Sequence, residues 1–282
     1  MVDSRCRLSG FAAASRFDIR LTSDVHFRSA IVRIPGPAFA AGLTTSAAQG
    51  RPDLGKALEQ HDDYCEALLA CGVEVTALPP DERFPDSVFV EDTAVVAVRV
   101  AVLTRPGAPS RVGEVPEVAA ALRQFRPELE QIEPPGTVDG GDVCQADDHF
   151  FIGLSRRTNE VGATQLATIL ARHGYAASMV DIRGHQTLLH LKSGLAYLGD
   201  RRFAIASEVP RTAALADYEM VEVDAAETYA ANCVRVNGIV LVAAGYPKLT
   251  ARLVEFGLAV RHVEVSEFRK MDGGLSCLSL RF

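Results

Sequence analysis

The sequence predicts an α/β protein arranged as a ring of five similar units. Three observations point there. Two short apolar strands joined by a tight polar turn recur four times along the 282 residues. A lone apolar strand stands at each end of the chain, and pairing those two supplies a fifth unit. A cluster of polar residues precedes the first strand of every unit. A closed ring leaves no strand pair without a neighbour, which is how radial repeats suppress exposed edges. Periodicity alone also fits an ordinary α+β sheet whose hairpins resemble one another by accident.

The elements run as follows. Residues 1–28, opening MVDSRCRLSGFAAASRFDIR, lack the continuous ~7–15 residue apolar core of a signal peptide and read as a flexible leader on a cytoplasmic protein. Residues 29–282 then form a single domain, starting with the strand SAIVRIP. A helix is expected near 52–70, with Leu54, Leu58, Leu68 and Leu69 on its apolar side. The hairpins are TAVVAV with VAVLT (93–104), GDVCQ with FFIGLS (141–155), SGLAYL with RFAIAS (193–207), and NCVRV with IVLVAAG (232–245). Asn237-Gly238 in the last is a strong two-residue hairpin turn. Helical spacing follows three of them: Val115, Val118, Ala119, Leu122 and Phe125; Val161, Leu166, Ala167 and Leu170; Leu249, Leu253 and Phe256. GGLSCLSLRF closes the chain as a single strand.

Composition narrows the function. The chain is 48% hydrophobic and 23% charged, as ordinary globular proteins are. Its formal net charge of −7 argues against nucleic acid and anionic membranes as partners. No apolar run approaches the roughly 20 residues of a membrane helix. Six cysteines form no CxxC pair, so reduced thiols are expected, five of them as small buried hydrophobes. Cys277 differs: two glycines in DGGLSC allow close backbone approach just before the terminal strand.

In a radial fold the clusters Glu91-Asp92, Asp139-Gly-Gly-Asp142, His190, Asn232 and Ser276-Cys277 converge on one axis. Six of the seven histidines have ordinary readings; His61, for example, reads as a helix surface position. His190 interrupts an apolar stretch where a strand begins, so it must be satisfied or functional. Asp86, Glu91, Asp92 and Asp139 are acids that repel one another unless a cation binds between them. A guanidinium is such a cation, with five N–H donors in a fixed fork. Asp142 reads as a turn residue beside glycine.

With FPDSVFVEDTAVV, LTRPGAPSRVGEV, DGGDV, FFIGLSRRTNE, LHLKS, AANC and DGGLSC in this order, the chain resembles the dimethylarginine dimethylaminohydrolases of the guanidino-group-modifying (pentein) superfamily from about residue 31 to the C-terminus. The resemblance implies a five-bladed, pseudo-symmetric α/β propeller whose fifth unit is closed by the N- and C-terminal strands. It implies nucleophile Cys277, general acid/base His190 and acidic partner Asp139, where some members carry the longer Glu. It sets Asp92 against the guanidinium, with Glu91 touching substrate or supporting Asp92. Asp86 and the Leu43 carbonyl of a lid-like loop would take the α-amino group, Arg111 and Arg157 the α-carboxylate, and Met271 would border the pocket. The expected reaction converts methylated arginine to citrulline and an alkylamine through a covalent S-alkylthiouronium, with no metal or organic cofactor. Zn²⁺ capture by Cys277 and His190 would be adventitious, since two ligands do not make a dedicated site. A homodimer is compatible with this reading. The rivals are an arginine deiminase, whose members carry a helical insertion this chain has no room for, and a catalytically silent binding protein.

Overall fold

The computed structural model describes residues 26–185 and 187–282. Its strands form five separate three-stranded sheets. The first contains β1 (Ser29–Arg33), β2 (Glu74–Leu78) and the terminal β15 (Leu280–Arg281), ordered β15-β1-β2. The others are β3 (Ala94–Val96), β4 (Ala101–Leu103) and β5 (Glu130–Gln131); β6 (Val143–Ala146), β7 (His149–Leu154) and β8 (Ala176–Asp181); β9 (Leu195–Gly199), β10 (Arg202–Ile205) and β11 (Glu219–Glu222); β12 (Val234–Val236), β13 (Ile239–Ala243) and β14 (Ala259–Val263).

Every sheet has the same logic. The middle strand runs antiparallel to the inner strand and parallel to the outer one. The ring closes where the sequence places it: β1 pairs with β15, Ala30 opposite Arg281 and Ile31 opposite Leu280. Residues from β3, β6, β9, β12 and β15 all line one axial cavity of about 160 Å³. These five are therefore the inner strands.

The outer parallel strands are what the hairpin pattern leaves out. A parallel partner needs a crossover, and helices α1 (Leu54–Ala70), α2 (Val115–Leu122), α3 (Glu160–Arg172) and α4 (Pro247–Glu255) supply it in four units. Asp53 caps α1 by accepting from the Lys56 N–H at 2.8 Å, and Asn159 caps α3 from Gly162 at 2.8 Å. The buried face of α1 is Ala57, Gln60, His61, Tyr64, Ala67 and Leu68, so His61 is a core residue and Leu69 is exposed. Val161 and Phe125 are likewise exposed rather than part of their apolar stripes.

The chain ends differ from expectation in detail. Residues 1–25, most of the expected leader, lie outside the described residues. Phe27 and Arg28, assigned to that leader, are pinned to the fold: Phe27 exchanges two hydrogen bonds with the Asn237 amide, and the Arg28 N–H donates to the Phe282 carbonyl. At the other end only Leu280–Arg281 is strand. The segment before it is a 3₁₀ turn, Ser276–Leu278, that carries Cys277.

Candidate active site

Each inner strand is entered through a short 3₁₀ turn: Val90–Thr93, Gly140–Asp142, Leu191–Ser193, Ala225–Ala231 and Ser276–Leu278. Four of the five neighbouring pairs of turns touch, and Asn232, just after the turn Ala225–Ala231, accepts the Ser276 N–H to close the circle, so the five polar clusters meet at one end of the ring. Asp139 stands just before the second turn, fully buried. Its Oδ1 accepts the Gly107 N–H at 2.7 Å and its Oδ2 lies 3.0 Å from Nε2 of His190. The shorter acid thus reaches the imidazole. A Cβ on Gly141 would come within 2.6 Å of His190 Nδ1, so only glycine lets the ring sit so close. Burial disfavours a charged His190, but the carboxylates of Asp92, Asp142 and Asp139 outweigh it and push its pKa up to about 9.

Cys277 is half-buried and shares its pocket with His190 and Asp92. Burial, then the Glu91 and Asp92 charges, push its thiol up to about 12. Asp92 is held down to about 2 despite its burial, because His190, Arg111 and the Gly141 N–H all favour the carboxylate. The unliganded pair at neutral pH is therefore a thiol beside an imidazolium.

Asp86, Leu43, Arg157, Met271, Phe89 and Arg111 line a cavity of about 30 Å³ that continues to Asp92, His190 and Cys277. Asp86 Oδ1 accepts the Leu43 N–H at 2.9 Å, fixing the loop that carries Leu43. Burial raises the Asp86 pKa, with Arg111, Leu43 and Arg157 opposing. The Arg157 guanidinium makes no hydrogen bond among the described residues. A larger space, about 290 Å³, adjoins it and shares His190, Cys277, Leu189, Asp272 and Gly273 as lining.

Three expectations need correction. Arg111 is not a free clamp: it is buried, with Nε on Glu114, Nη1 on Asp92, and Nη2 on Glu114 and the carbonyls of Phe89 and Asp86. That leaves one Nη1 N–H of the five uncommitted. The Glu91 carboxylate does not face this pocket; Ser276 Oγ, Lys192 and Arg281 draw it toward the axial cavity, at 2.8, 2.6 and 3.2 Å. Asp142 does lie in a turn beside glycine, but it is fully buried and accepts from the Leu191 N–H and from Ser155 and Thr158 hydroxyls at 2.9, 2.6 and 2.7 Å. Burial pushes its pKa up to about 6. Glu114 escaped the sequence reading, although its position three residues after Arg111 on a helical turn was the available signal.

Asp92, Asp139 and His190 bring ligand atoms within 4.8 Å of one another, the one such group among the described residues. Gly107, Gly141 and Arg111 already occupy three of the four carboxylate oxygens, and His190 takes the fourth. Cys277 is not in that group. No described helix is long and apolar enough to cross a membrane.

A ring of five such units with cysteine, histidine and carboxylates at one end is the pentein class of guanidine-modifying folds. A family model described as arginine deiminase matches residues 85–235, just over half the chain. The chain belongs to the dimethylarginine dimethylaminohydrolase family. It is 47% identical to the N(G),N(G)-dimethylarginine dimethylaminohydrolase of Pseudomonas aeruginosa over 257 residues, 91% of this chain and 100% of that one. The Streptomyces coelicolor protein of the same name is 36% identical over 90% of this chain and 96% of its own. The crystal structure of a cysteine-to-serine mutant of the Pseudomonas aeruginosa enzyme, complexed with citrulline, superposes with a TM-score of 0.88 at 46% identity, covering 92% of this chain and all of that one.

Proposed function

We propose that this chain hydrolyses Nω-methylated arginines, asymmetric dimethylarginine and monomethylarginine, to citrulline and dimethylamine or methylamine, with residues 29–282 as the catalytic domain. One observation carries it beyond family membership: a single pocket joins the uncommitted Arg157 and Asp86 at one end to Asp92, His190 and Cys277 at the other. An amino-acid head fits the first end and a guanidinium the second. Arg157 takes the α-carboxylate, assisted by the one spare N–H of Arg111, while Asp86 and the Leu43 carbonyl take the ammonium.

Binding supplies the missing cation. A guanidinium against Asp92 offsets the acids that hold the thiol proton, and Cys277 releases it to solvent. The thiolate attacks the guanidinium carbon, giving a tetrahedral adduct. His190, already protonated, gives its proton to the departing alkylamine as the C–N bond breaks. The neutral imidazole, oriented by Asp139, then takes a proton from water as its oxygen adds to the S-alkylthiouronium carbon. Collapse breaks the C–S bond as the hydroxyl proton passes to the departing sulfur, returning citrulline, the Cys277 thiol and protonated His190. Glu91 acts from behind, through Ser276, rather than on substrate.

Citrulline formation from asymmetric dimethylarginine, monomethylarginine and arginine, measured side by side on one preparation, tests the proposal. Methylated arginine should give the higher kcat/KM, with alkylamine released. Ammonia from arginine as the dominant product would move the reading to a deiminase. The Cys277→Ser protein should stay folded and inactive, since a hydroxyl is a far weaker nucleophile. Turnover by that variant would refute the nucleophile.

A further inference from the structure

The fourth unit contributes no acid, base or nucleophile to the mechanism above, yet its turn ends in Asn232, a nearly buried amide between the turns carrying His190 and Cys277. The Asn232 Oδ1 accepts the Ser276 N–H at 2.9 Å. One Nδ2 N–H donates to Ser276 Oγ at 2.9 Å and another to the Lys192 carbonyl at 2.8 Å. Ser276 immediately precedes Cys277, and Lys192 lies two residues after His190. Ser276 is held on its other sides as well: its Oγ donates to Glu91 at 2.8 Å, and its carbonyl accepts from Arg281 at 3.2 Å. Glu91 in turn adjoins Asp92.

We infer that Asn232 is a positioning residue, a keystone that sets the Cys277 turn against the His190 turn and so fixes sulfur, imidazole and Asp92 at their working separations. This rests on the function proposed above. Both amide donors are spent and the carbonyl is engaged, so Asn232 acts through its neighbours. The glycine pair before Cys277 agrees: a Cβ on Gly274 would collide with the Asn232 amide, which makes the close approach of these two segments a requirement of the site. A single amide that donates twice and accepts once is the one small side chain able to serve these three groups together. Asp offers acceptors only, and would set an oxygen against the Lys192 carbonyl.

The geometry separates positioning from binding. The hydrogen bonds of the Asn232 side chain go to Lys192 and Ser276, and none goes to Asp86, Leu43 or Arg157, the groups assigned to the amino-acid head. Removing the amide should therefore disturb the chemical step and spare substrate affinity. A displacement of about 1 Å in a reacting group costs about 100-fold in rate.

The test uses Asn232→Ala and the isosteric Asn232→Asp in the full chain, with circular dichroism and thermal melts as controls. Each folded variant should lose about 100-fold in kcat on asymmetric dimethylarginine while KM stays within about threefold. Iodoacetamide alkylation of Cys277, followed by peptide mass, should change at least fivefold in rate. That second readout needs no substrate. If the wild type converts no methylated arginine, the proposed function falls, and the alkylation rate alone decides the Asn232 inference. An unchanged kcat, a raised KM at unchanged kcat, or, where the wild type is inactive, an unchanged alkylation rate would overturn it. Failure of both variants to fold would also overturn it, because the residue would then serve the fold at large.

Discussion

Asp139 holds His190 through one carboxylate oxygen, 3.0 Å from Nε2, while its other oxygen is anchored by the Gly107 N–H at 2.7 Å. The pair is thus fixed at both ends, and the imidazole's orientation is set before substrate arrives. A bound imidazolium is the form needed to protonate a leaving amine.

Asp139→Asn should lower kcat by on the order of 100-fold, the lower end of the usual general acid–base contribution. The pH dependence has a definite sign. His190 has a pKa of about 9 against an ordinary 6.5, so the acid form is full at neutral pH and is lost as pH rises through about 9. The associated stability is fully present below about 6.5 and disappears over the same interval. Thermal melts from pH 6 to 10 should show a decline in the wild type that is reduced in His190→Ala. Equal declines in the two proteins would remove His190 as the source.

The two arginines should behave differently. Arg157→Ala should mainly raise KM, because a carboxylate grip acts equally in ground and transition states. Arg111→Ala should instead lower kcat and stability together, since it strands Asp92 and Glu114 as buried carboxylates. Breaking one side of a buried ion pair typically costs about 3–5 kcal/mol. Steady-state kinetics with a denaturant melt of each variant distinguishes the two. Identical profiles would mean that Arg111 is the plain clamp its motif suggests.

The ring was legible because strand pairs have short-range signals: alternation, turn residues and the unpaired strands at each end. The parallel strands β2, β5, β8 and β11 were not, since their partners lie a crossover away and β5 is only Glu130–Gln131; of β14 only the alternating position of His262 could be read. Among site residues, the clusters before each inner strand could be read because polar groups there interrupt apolar sequence. Side-chain direction could not. Glu91 and Asp92 are adjacent, yet one turns toward Lys192 and Arg281 and the other toward Arg111 and the Gly141 N–H. The same holds for Asp139 and Asp142, three residues apart in DGGD: the first orients His190, the second ties down Leu191 behind it.

Asp272 should govern how the loop carrying Leu43 closes the amino-acid end of the pocket. It accepts from the Thr45 N–H, from Thr45 Oγ1 at 3.0 Å and from Ser46 Oγ, while Thr44 Oγ1 donates to the Lys270 carbonyl at 2.9 Å. Asp272 does this from a left-handed backbone, φ +58°, which Asp tolerates better than most residues. Asp86 takes the Leu43 N–H from the opposite side. Asp272→Ala removes all three acceptor contacts and puts an ill-suited residue at that φ, so the loop should open more often. The expected result is a KM raised about tenfold, about 1.4 kcal/mol and within the net worth of one ordinary hydrogen bond, with kcat changed far less. Limited proteolysis should cut between residues 43 and 50 faster than in the wild type. Asp272→Asn, which keeps an acceptor and tolerates the left-handed region, should recover most of the affinity. A KM unaffected in both variants would show that the loop closes without this latch, and leave Asp86 as its principal anchor.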